Sequence, residues 1–584
     1  MKRIVIVLII AAASAVLGWA GYQVASPPQA ALSTYVPAGA LLYLEAKDFG
    51  QLLSDWYGSP QKQEWVKSAN YEVFSRSRLL LRLKGAGDQF AAAAGLPPSV
   101  NFLGQVAGTR SALAIYDIGN LQFLYITRLP SAKSMQSTLW QSRAKFEPRA
   151  AGGVTFYVRR DSESQREVAF GVAGDYLLLA TREDLMAGAL QLMSGSKNLS
   201  VESEQWWLKS VAVAGAQGDL RMVLDLEKLV PSPYFRTYWV QQNITDLKQY
   251  SAAVSDLFRS SKEYREERVL VRKTVTGDAH SSSGAASSSP VPGRVSNDAS
   301  GAEAAGDLVR LVPDAIGIYE ARANPSPDSC FQLLEAKLLA PHLGPAPTSK
   351  LAPQVQLSTG ETGSGSDLET RIDQSPEHAA TKQVVTALQE LLRRTPLLAS
   401  LQVQATEPDK AGVFVRMHSG VVLVSATDWD EAAVRSAIVD FIQPGVTASE
   451  LGITWQEKLG YQQLDGLWPL SFSVRGKDLL VSDDPTLVES LMANLSRKPD
   501  EKPAVVAAGF SHARERENFA RFSGLIDGPS KYASSYPANL QQPQFFSSNI
   551  ASLSATLSGV SSESIRVRED GELVRQTVIY EWNP

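Results

Sequence analysis

The chain predicts an α+β fold in two similar halves, each an antiparallel sheet covered by helices, preceded by one N-terminal transmembrane helix. Three observations carry that expectation. Residues 4–22 hold no charge and follow a basic head at 1–3; four patterns recur in the same order on both sides of a low-complexity stretch; and the strands arrive as hairpins rather than singly between helices.

The opening segment sets the expected location. At about 1.5 Å per helical residue, residues 4–22 reach roughly 28 Å, the thickness of a bilayer's hydrocarbon core. Lys2 and Arg3 then stay cytoplasmic, Trp19 and Tyr22 suit the opposite headgroup layer, and the body after Gln23 lies outside the cytoplasm. A cleaved secretory signal is the competing reading, with Gly18 and Ala20 at the cleavage positions. Trp19 between them, Pro27 after Ser26 and the length of the apolar run favour the anchor.

The first half spans 36–275. It opens with VPAGALLYLEA (36–46), and helices are expected near 48–57, 61–83, 131–145, 182–194 and 203–213. Strands are expected near 40–46, 111–117, 121–127, 153–159, 167–173, 176–180, 219–226 and 267–275. Residues 276–306 are rich in Ser, Gly and Ala with almost no bulky apolar side chain. Such a stretch cannot offset its ordering entropy by burial, which predicts a flexible linker. The second half, 307–584, repeats the plan. VPDAIGIYEA (312–321) answers the opening, and a turn expected at Ser419 and Gly420 answers the one at Gly119 and Asn120. GKDLLVSDDPTLVESLMANL (476–495) answers the strand and helix before 194, and LVRQTV (573–578) answers LVRKTV (270–275). The last three pairs are offset by 300 to 303 residues (111 to 411, 171 to 473, 270 to 573). The first pair is offset by 276 (36 to 312), which leaves room for a Pro/Gly/Ser/Thr-rich loop insertion at 341–376.

The opening at Val36, Pro37, Ala38, Tyr43 and Glu45, soon after one hydrophobic segment, together with the strand-turn-strand at 111–127, resembles an uncharacterised bacterial family of membrane-anchored proteins known only as a domain of unknown function. The resemblance implies a bacterial cell-membrane location, single-pass, with a periplasmic body. It implies no activity, ligand or catalytic residue.

Composition narrows the function classes. With 584 residues, 44% hydrophobic and 20% charged, the chain has apolar material for more than one core. A net charge of −5 without a clustered basic face argues against a nucleic-acid partner. Cys330 is the single cysteine and forms no internal disulfide, so it reads as apolar filler. His280, His342, His378, His418 and His512 are scattered, without metal-ligand spacing, and read as solvated surface.

Catalytic motifs are incomplete. Ser59 to Lys62 and Ser194 to Lys197 match S-x-x-K but lack partner motifs, and GAGDQF (85–90) lacks the third glycine of a dinucleotide loop and reads as a helix C-cap. Gly476 and Lys477 lack the rest of a phosphate loop. Asp483 and Asp484 before Pro485 read as a helix cap, and the charges at 262–268 as a solvated strand or turn. Trp206 and Trp207, and the aromatic runs at 234–239 and 544–546, leave a glycan-stacking or partner surface open. No catalytic, cofactor-binding or metal residue is nominated.

The function expected is a non-enzymatic, membrane-tethered envelope protein with a binding or scaffolding role toward an envelope protein or glycan. The alternatives are an envelope hydrolase acting on wall or glycan material, and a carrier or sensor of an apolar or lipidic ligand. The last predicts an apolar cavity of several hundred Å³ between sheet and helices, on the order of other small-molecule sites.

Overall fold

A computed structural model describes residues 31–67, 71, 75, 85, 88–96, 102–162, 165–232, 247–273, 299–339, 386–408, 415–446, 454–465, 470–499, 502–516, 518 and 559–582. The fold is α+β, with antiparallel pairing throughout the described strands. The chain divides into two compact units, residues 1–57 with 78–256 and residues 58–77 with 257–584.

The first unit contains β1 (Leu42–Ala46), β2 (Ser111–Asp117), β3 (Gln122–Arg128), β4 (Glu147–Ala151), β5 (Val154–Arg160), β6 (Glu167–Ala173), β7 (Tyr176–Ala180) and β8 (Leu220–Asp225). They pair in the order β4-β5-β6-β7-β3-β2-β1-β8. Alternating apolar residues give this sheet two buried faces. Tyr43, Ile126, Leu178 and Ala180 point to one face, which carries the helices Glu183–Met193 and Gln205–Val211. Tyr125, Val168, Phe170, Leu177 and Leu179 point to the other and pack against Leu96, Leu139 and Phe146.

Local chemistry closes the turns. Asp117 Oδ1 accepts the backbone N–H of Gly119 at 2.8 Å and of Asn120 at 3.0 Å, which ties the β2–β3 turn. Gly152 and Gly153, with φ of 56° and 77°, form the two-residue β4–β5 turn, whose hand requires positive φ at both positions. A Cβ on Gly152 would lie 2.4 Å from the Leu190 carbonyl oxygen. Gly152→Ala is therefore expected to destabilise the unit by about 2 kcal/mol, read as a shift of the urea midpoint at unchanged slope. An unshifted midpoint would refute it.

The second unit contains β10 (Glu263–Arg272), β11 (Ile318–Ala323), β12 (Leu397–Pro408), β13 (Val415–Ser425), β14 (Thr454–Lys458), β15 (Tyr461–Asp465), β16 (Ser471–Arg475), β17 (Asp478–Ser482), β18 (Val506–Phe510), β19 (Val560–Asp570) and β20 (Leu573–Trp582); β9 (Tyr250–Arg259) spans the unit boundary. Their order is β10-β20-β19-β18-β11-β12-β13-β17-β16-β15-β14. One core joins the helices Pro327–Leu334, Ala387–Arg394 and Glu431–Val446 to Val421, Leu423, Phe472, Leu479 and Val481. A second joins Leu308, Leu311, Leu487 and Leu491 to Leu401, Val403, Val422 and Leu480.

Several expectations change. Residues 299–306, assigned to the linker, lie in the helix Ala299–Leu308, with Ala305 buried; its glycines permit an approach in which a Cβ on Gly306 would meet the Lys502 carbonyl oxygen at 2.2 Å. Ser419 and Gly420 are not a turn but the middle of β13, opposite Gln404 and Val403. Gly420 is there for clearance: a Cβ would lie 2.9 Å from Val403 Cγ2 and 3.2 Å from Leu487 Cδ2. The charges at 262–268, expected as a solvated strand or turn, run into the strand β10, which is half-buried rather than solvated and where Arg268 holds Glu266 through two bonds of 2.6 Å. β4 and β9 were not anticipated; β4 (EPRAA) is mostly exposed and lacks the apolar alternation that marks a strand. Gly85 and residues 88–93 are helical, and residues 86 and 87 between them lie outside the described residues.

The anchor or signal at 4–22, the insertion at 341–376 and most of the linker lie outside the described residues. Among the described residues no helix is long and apolar enough to cross a membrane.

His418, expected on a solvated turn, sits in β13 with Nδ1 3.8 Å from Asp483 Oδ1. The Asp483 carboxylate beside it raises its pKa above the ordinary 6.5, against an opposing effect of burial. A raised folded-state pKa means the contribution is fully present below about 6.5 and is lost as pH rises through the folded value. His418→Gln is expected to remove that component of the pH dependence, measured by urea unfolding between about pH 5 and 9. Parallel wild-type and variant curves would overturn it.

Candidate functional site

A cavity of about 670 Å³ lies in the first unit, between the second face of the sheet and the helical segments over it. Its floor is a row across paired strands: Leu44 opposite Leu113, Leu113 opposite Tyr125, and Tyr125 opposite Leu179. Ile115 and Phe123 form a parallel row, while Ala46 and Leu220 close one end through the β1–β8 pairing. Phe49, Phe90, Phe102 and Leu103 make the opposite wall.

The wall explains why space remains. The helix Phe49–Gly58 has no buried residue, and the helix Phe102–Val106 is a short segment whose buried residue is Val106. Phe90 packs 5.9 Å from Phe102 and 6.0 Å from Phe123, centroid to centroid, yet all three stay half-exposed. Large aromatic rings left partly uncovered around a void differ from a close-packed core.

Polar atoms inside are engaged with the protein. Tyr125 Oη donates to the Val106 carbonyl at 2.8 Å and lies 3.2 Å from Ser111 Oγ, which in turn lies 2.6 Å from Thr127 Oγ1. This chain of hydroxyls pins the helix Phe102–Val106 to the floor and keeps the interior apolar. Burial raises the Tyr125 pKa, so its hydroxyl stays neutral near pH 7.

Among the described residues, the remaining polar lining gathers at one end: Asp88, Arg166, Glu167 and Thr181. Arg166 Nε donates to Gln89 Oε1 at 2.9 Å and its Nη1 donates to the Asn120 carbonyl. Thr181 Oγ1 accepts the Phe123 N–H at 2.8 Å, and Glu167 accepts the Glu183 N–H. Leu121 and Gln165, with φ of 49° and 56°, flank the Asn120–Arg166 link. Left-handed backbone at non-glycine residues costs about 1–3 kcal/mol each and persists where surrounding contacts over-determine it.

None of the residues singled out by sequence lines this cavity except within 85–90, where Asp88 and Phe90 do. Cys330 is buried in the helix Pro327–Leu334, where burial pushes its thiol up to about 12. Trp206 and Trp207 are 8% and 7% exposed, and Trp207 meets Tyr43 edge-on at 5.0 Å, so neither offers a stacking surface. Ser59 Oγ accepts the Lys62 N–H at 3.2 Å and Ser194 Oγ donates to the Gln191 carbonyl at 2.7 Å; both are local structural bonds. Asp484 caps the helix Pro485–Asn494 through the Thr486 N–H at 2.9 Å. Gly476, with φ 59°, turns β16 into β17. His512 Nε2 lies 3.5 Å from Glu563 Oε2. His280, His342, His378 and both aromatic runs lie outside the described residues. Among the described residues no three His, Cys, Asp or Glu side chains gather as a metal site. The cavity residues carried no sequence signal of their own, because Leu113, Phe90 and Phe102 read as ordinary core positions.

No family model matches the chain. No curated protein matches it either. Among solved structures it is similar to crystal form I of TP0453, with TM-score 0.22 and 12% identity over 44% of this chain and 82% of that one. Crystal form III of TP0453 gives TM-score 0.23 and 11% identity over 44% and 83%. TM-scores of this size do not establish a common fold.

Proposed function

We propose that this chain is a non-enzymatic, membrane-tethered envelope protein whose first unit binds an apolar or lipidic ligand. The observation that carries the reading is the cavity of about 670 Å³ with an apolar floor and aromatic wall. Its volume falls in the range of small-molecule sites, and burial of apolar ligand surface supplies the affinity. The tether rests on the uncharged stretch at 4–22. The reading includes a duplicated body. In its favour, the order β14-β15-β16-β17-β13-β12-β11-β18 repeats β4-β5-β6-β7-β3-β2-β1-β8, and the two LVR strands pair with Leu270 opposite Val574 and Val271 opposite Leu573.

The test uses N-phenyl-1-naphthylamine, an uncharged probe that brightens in apolar surroundings. Saturable enhancement at about one probe per chain is the expected result, and absence of enhancement by the folded protein removes the reading. N-terminal sequencing of chains recovered from membranes tests the tether: a mature start at Gly21 or later would remove it.

A further inference from the structure

We infer that Glu515 is a proton-operated latch in the second unit: with its carboxyl neutral it holds residues 511–518 against β11 and β12, and on losing its proton it lets them go. The device is separate from the cavity and from the ligand proposed for it.

A close fit seats the carboxyl. Glu515 lies in the helical residues 512–516 and is 0% exposed. Its carboxyl fills the room that a side chain at Gly317, just ahead of β11, would take: a Cβ there would collide with Glu515 Oε1 and Cδ and lie 2.6 Å from Cγ. Hydrogen bonds fix the segment around it. The Ser511 N–H donates to the Gly317 carbonyl at 2.8 Å, and the Glu515 N–H donates to the Ser511 carbonyl at 3.0 Å. Arg514 Nη2 donates to the Asp314 carbonyl at 3.2 Å, and Asn518 Nδ2 donates to Thr406 Oγ1 at 2.7 Å. The carboxyl thus stands in the joint between this segment and the ends of two strands.

Its two oxygens are unequally partnered. Glu515 Oε2 accepts the Thr406 hydroxyl, whereas Oε1 is buried with no hydrogen-bond partner. A carboxylate spreads its charge over both oxygens, so leaving one bare in the interior carries the desolvation penalty of a charged group. A neutral acid leaves only an uncharged oxygen there. One proton therefore removes the penalty without displacing a heavy atom.

Nearby charges do not offset that penalty. Among the described residues, His512, Arg514 and Arg516 stand on the same helix, Asp314 and Glu320 on the segment through β11, Glu407 on β12 and Glu563 on β19. Burial is the larger influence and raises the Glu515 pKa above its ordinary 4.5, against the Thr406 hydrogen bond and the Arg514 charge. The other groups are engaged or solvated. His512 faces Glu563 at 3.5 Å, Arg516 donates to the Val560 carbonyl at 3.3 Å, and Glu320 pairs with Arg322. Asp314 faces Arg497 at 3.5 Å, and Glu407 is exposed to solvent, where its field is screened. An acid whose pKa is raised in the closed segment and ordinary in the open one favours closure in full below about pH 4.5. That preference is lost as pH rises through the closed-state value.

Hydrogen exchange of the full chain at about pH 5 and about pH 8, read by mass spectrometry and corrected for the intrinsic rate, tests the latch. Protection of residues 511–516 should fall about tenfold more than that of β17 between the two values. Glu515→Gln keeps the shape without the charge and should abolish the excess fall. Glu515→Leu, which cannot ionise either, should abolish it from a lower starting protection. Gly317→Ala fills the carboxyl's seat and should lower the protection of residues 511–516 at both pH values. Equal wild-type protection at the two pH values, an excess fall that persists in both Glu515 variants, or a fall shared equally by β17 overturns the assignment.

Discussion

Arg221→Ala is expected to destabilise the first unit by about 3–5 kcal/mol. Arg221 lies on β8 and Asp256 on β9, with side-chain exposures of 12% and 4%. The pairing is two-pronged: Nε to Oδ1 at 2.8 Å and Nη2 to Oδ2 at 2.8 Å, with the Gly218 N–H on Oδ1 at 2.9 Å and Arg221 Nη2 also donating to the Gly215 carbonyl at 3.0 Å. Removing the guanidinium leaves a buried carboxylate with one backbone donor, and that uncompensated charge sets the size of the effect. The double variant Arg221→Met with Asp256→Leu removes both charges and should recover much of the loss. Urea unfolding followed by circular dichroism measures both. A single-variant loss below about 1 kcal/mol would show the pair to be as weak as an exposed one. The neighbouring Leu220 closes the apolar end of the cavity, so Arg221→Ala should also weaken probe binding.

Leu113→Trp is expected to reduce apolar-probe affinity at least about 100-fold while leaving the unit folded. Leu113 stands mid-floor, between Leu44 and Tyr125 in the cross-strand row. An indole there projects into space that no protein atom fills, so it meets void rather than packed core. Burial contributes about 25 cal/mol per Å² of apolar surface, so excluding about 120 Å² of the probe costs about 3 kcal/mol, which exceeds a 100-fold change in affinity. Probe titration gives the affinity, and the thermal midpoint, expected within a few degrees of wild type, reports folding. Unchanged affinity in Leu113→Trp would place the probe elsewhere and detach the proposed function from this cavity.

The hairpin at 111–127 was legible because its two signals coincide: period-2 alternation on both arms and a turn at Gly119 and Asn120 between them. The helix after 181 was legible from its acidic first turn, Glu183 and Asp184. At 411–435 the same reasoning placed a turn on Gly420, where the glycine answers instead to the approach of Leu487 and Leu491 from the helix Pro485–Asn494. Glycine as a turn former and glycine as clearance look alike until the neighbour is known. β4 escaped because a mostly exposed strand needs no apolar pattern, and Ala299–Leu308 escaped because a helix lying close against a sheet favours the small residues that also compose linkers.

Local pattern by itself determined the class, most strand positions in the first unit, and the expectation of an exported, tethered body. These follow from interactions between residues a few positions apart, where periodicity and turn chemistry are visible. Tertiary structure alone decided the strand order, the pairing of Arg221 with Asp256, and the cavity. A void is an absence shared among Leu44, Phe90, Phe102, Leu113 and Leu179, whose side chains are apolar in filled and unfilled cores alike. Whether such residues meet or leave a gap depends on how far each helix stands from the sheet, a distance set by contacts distant in the chain.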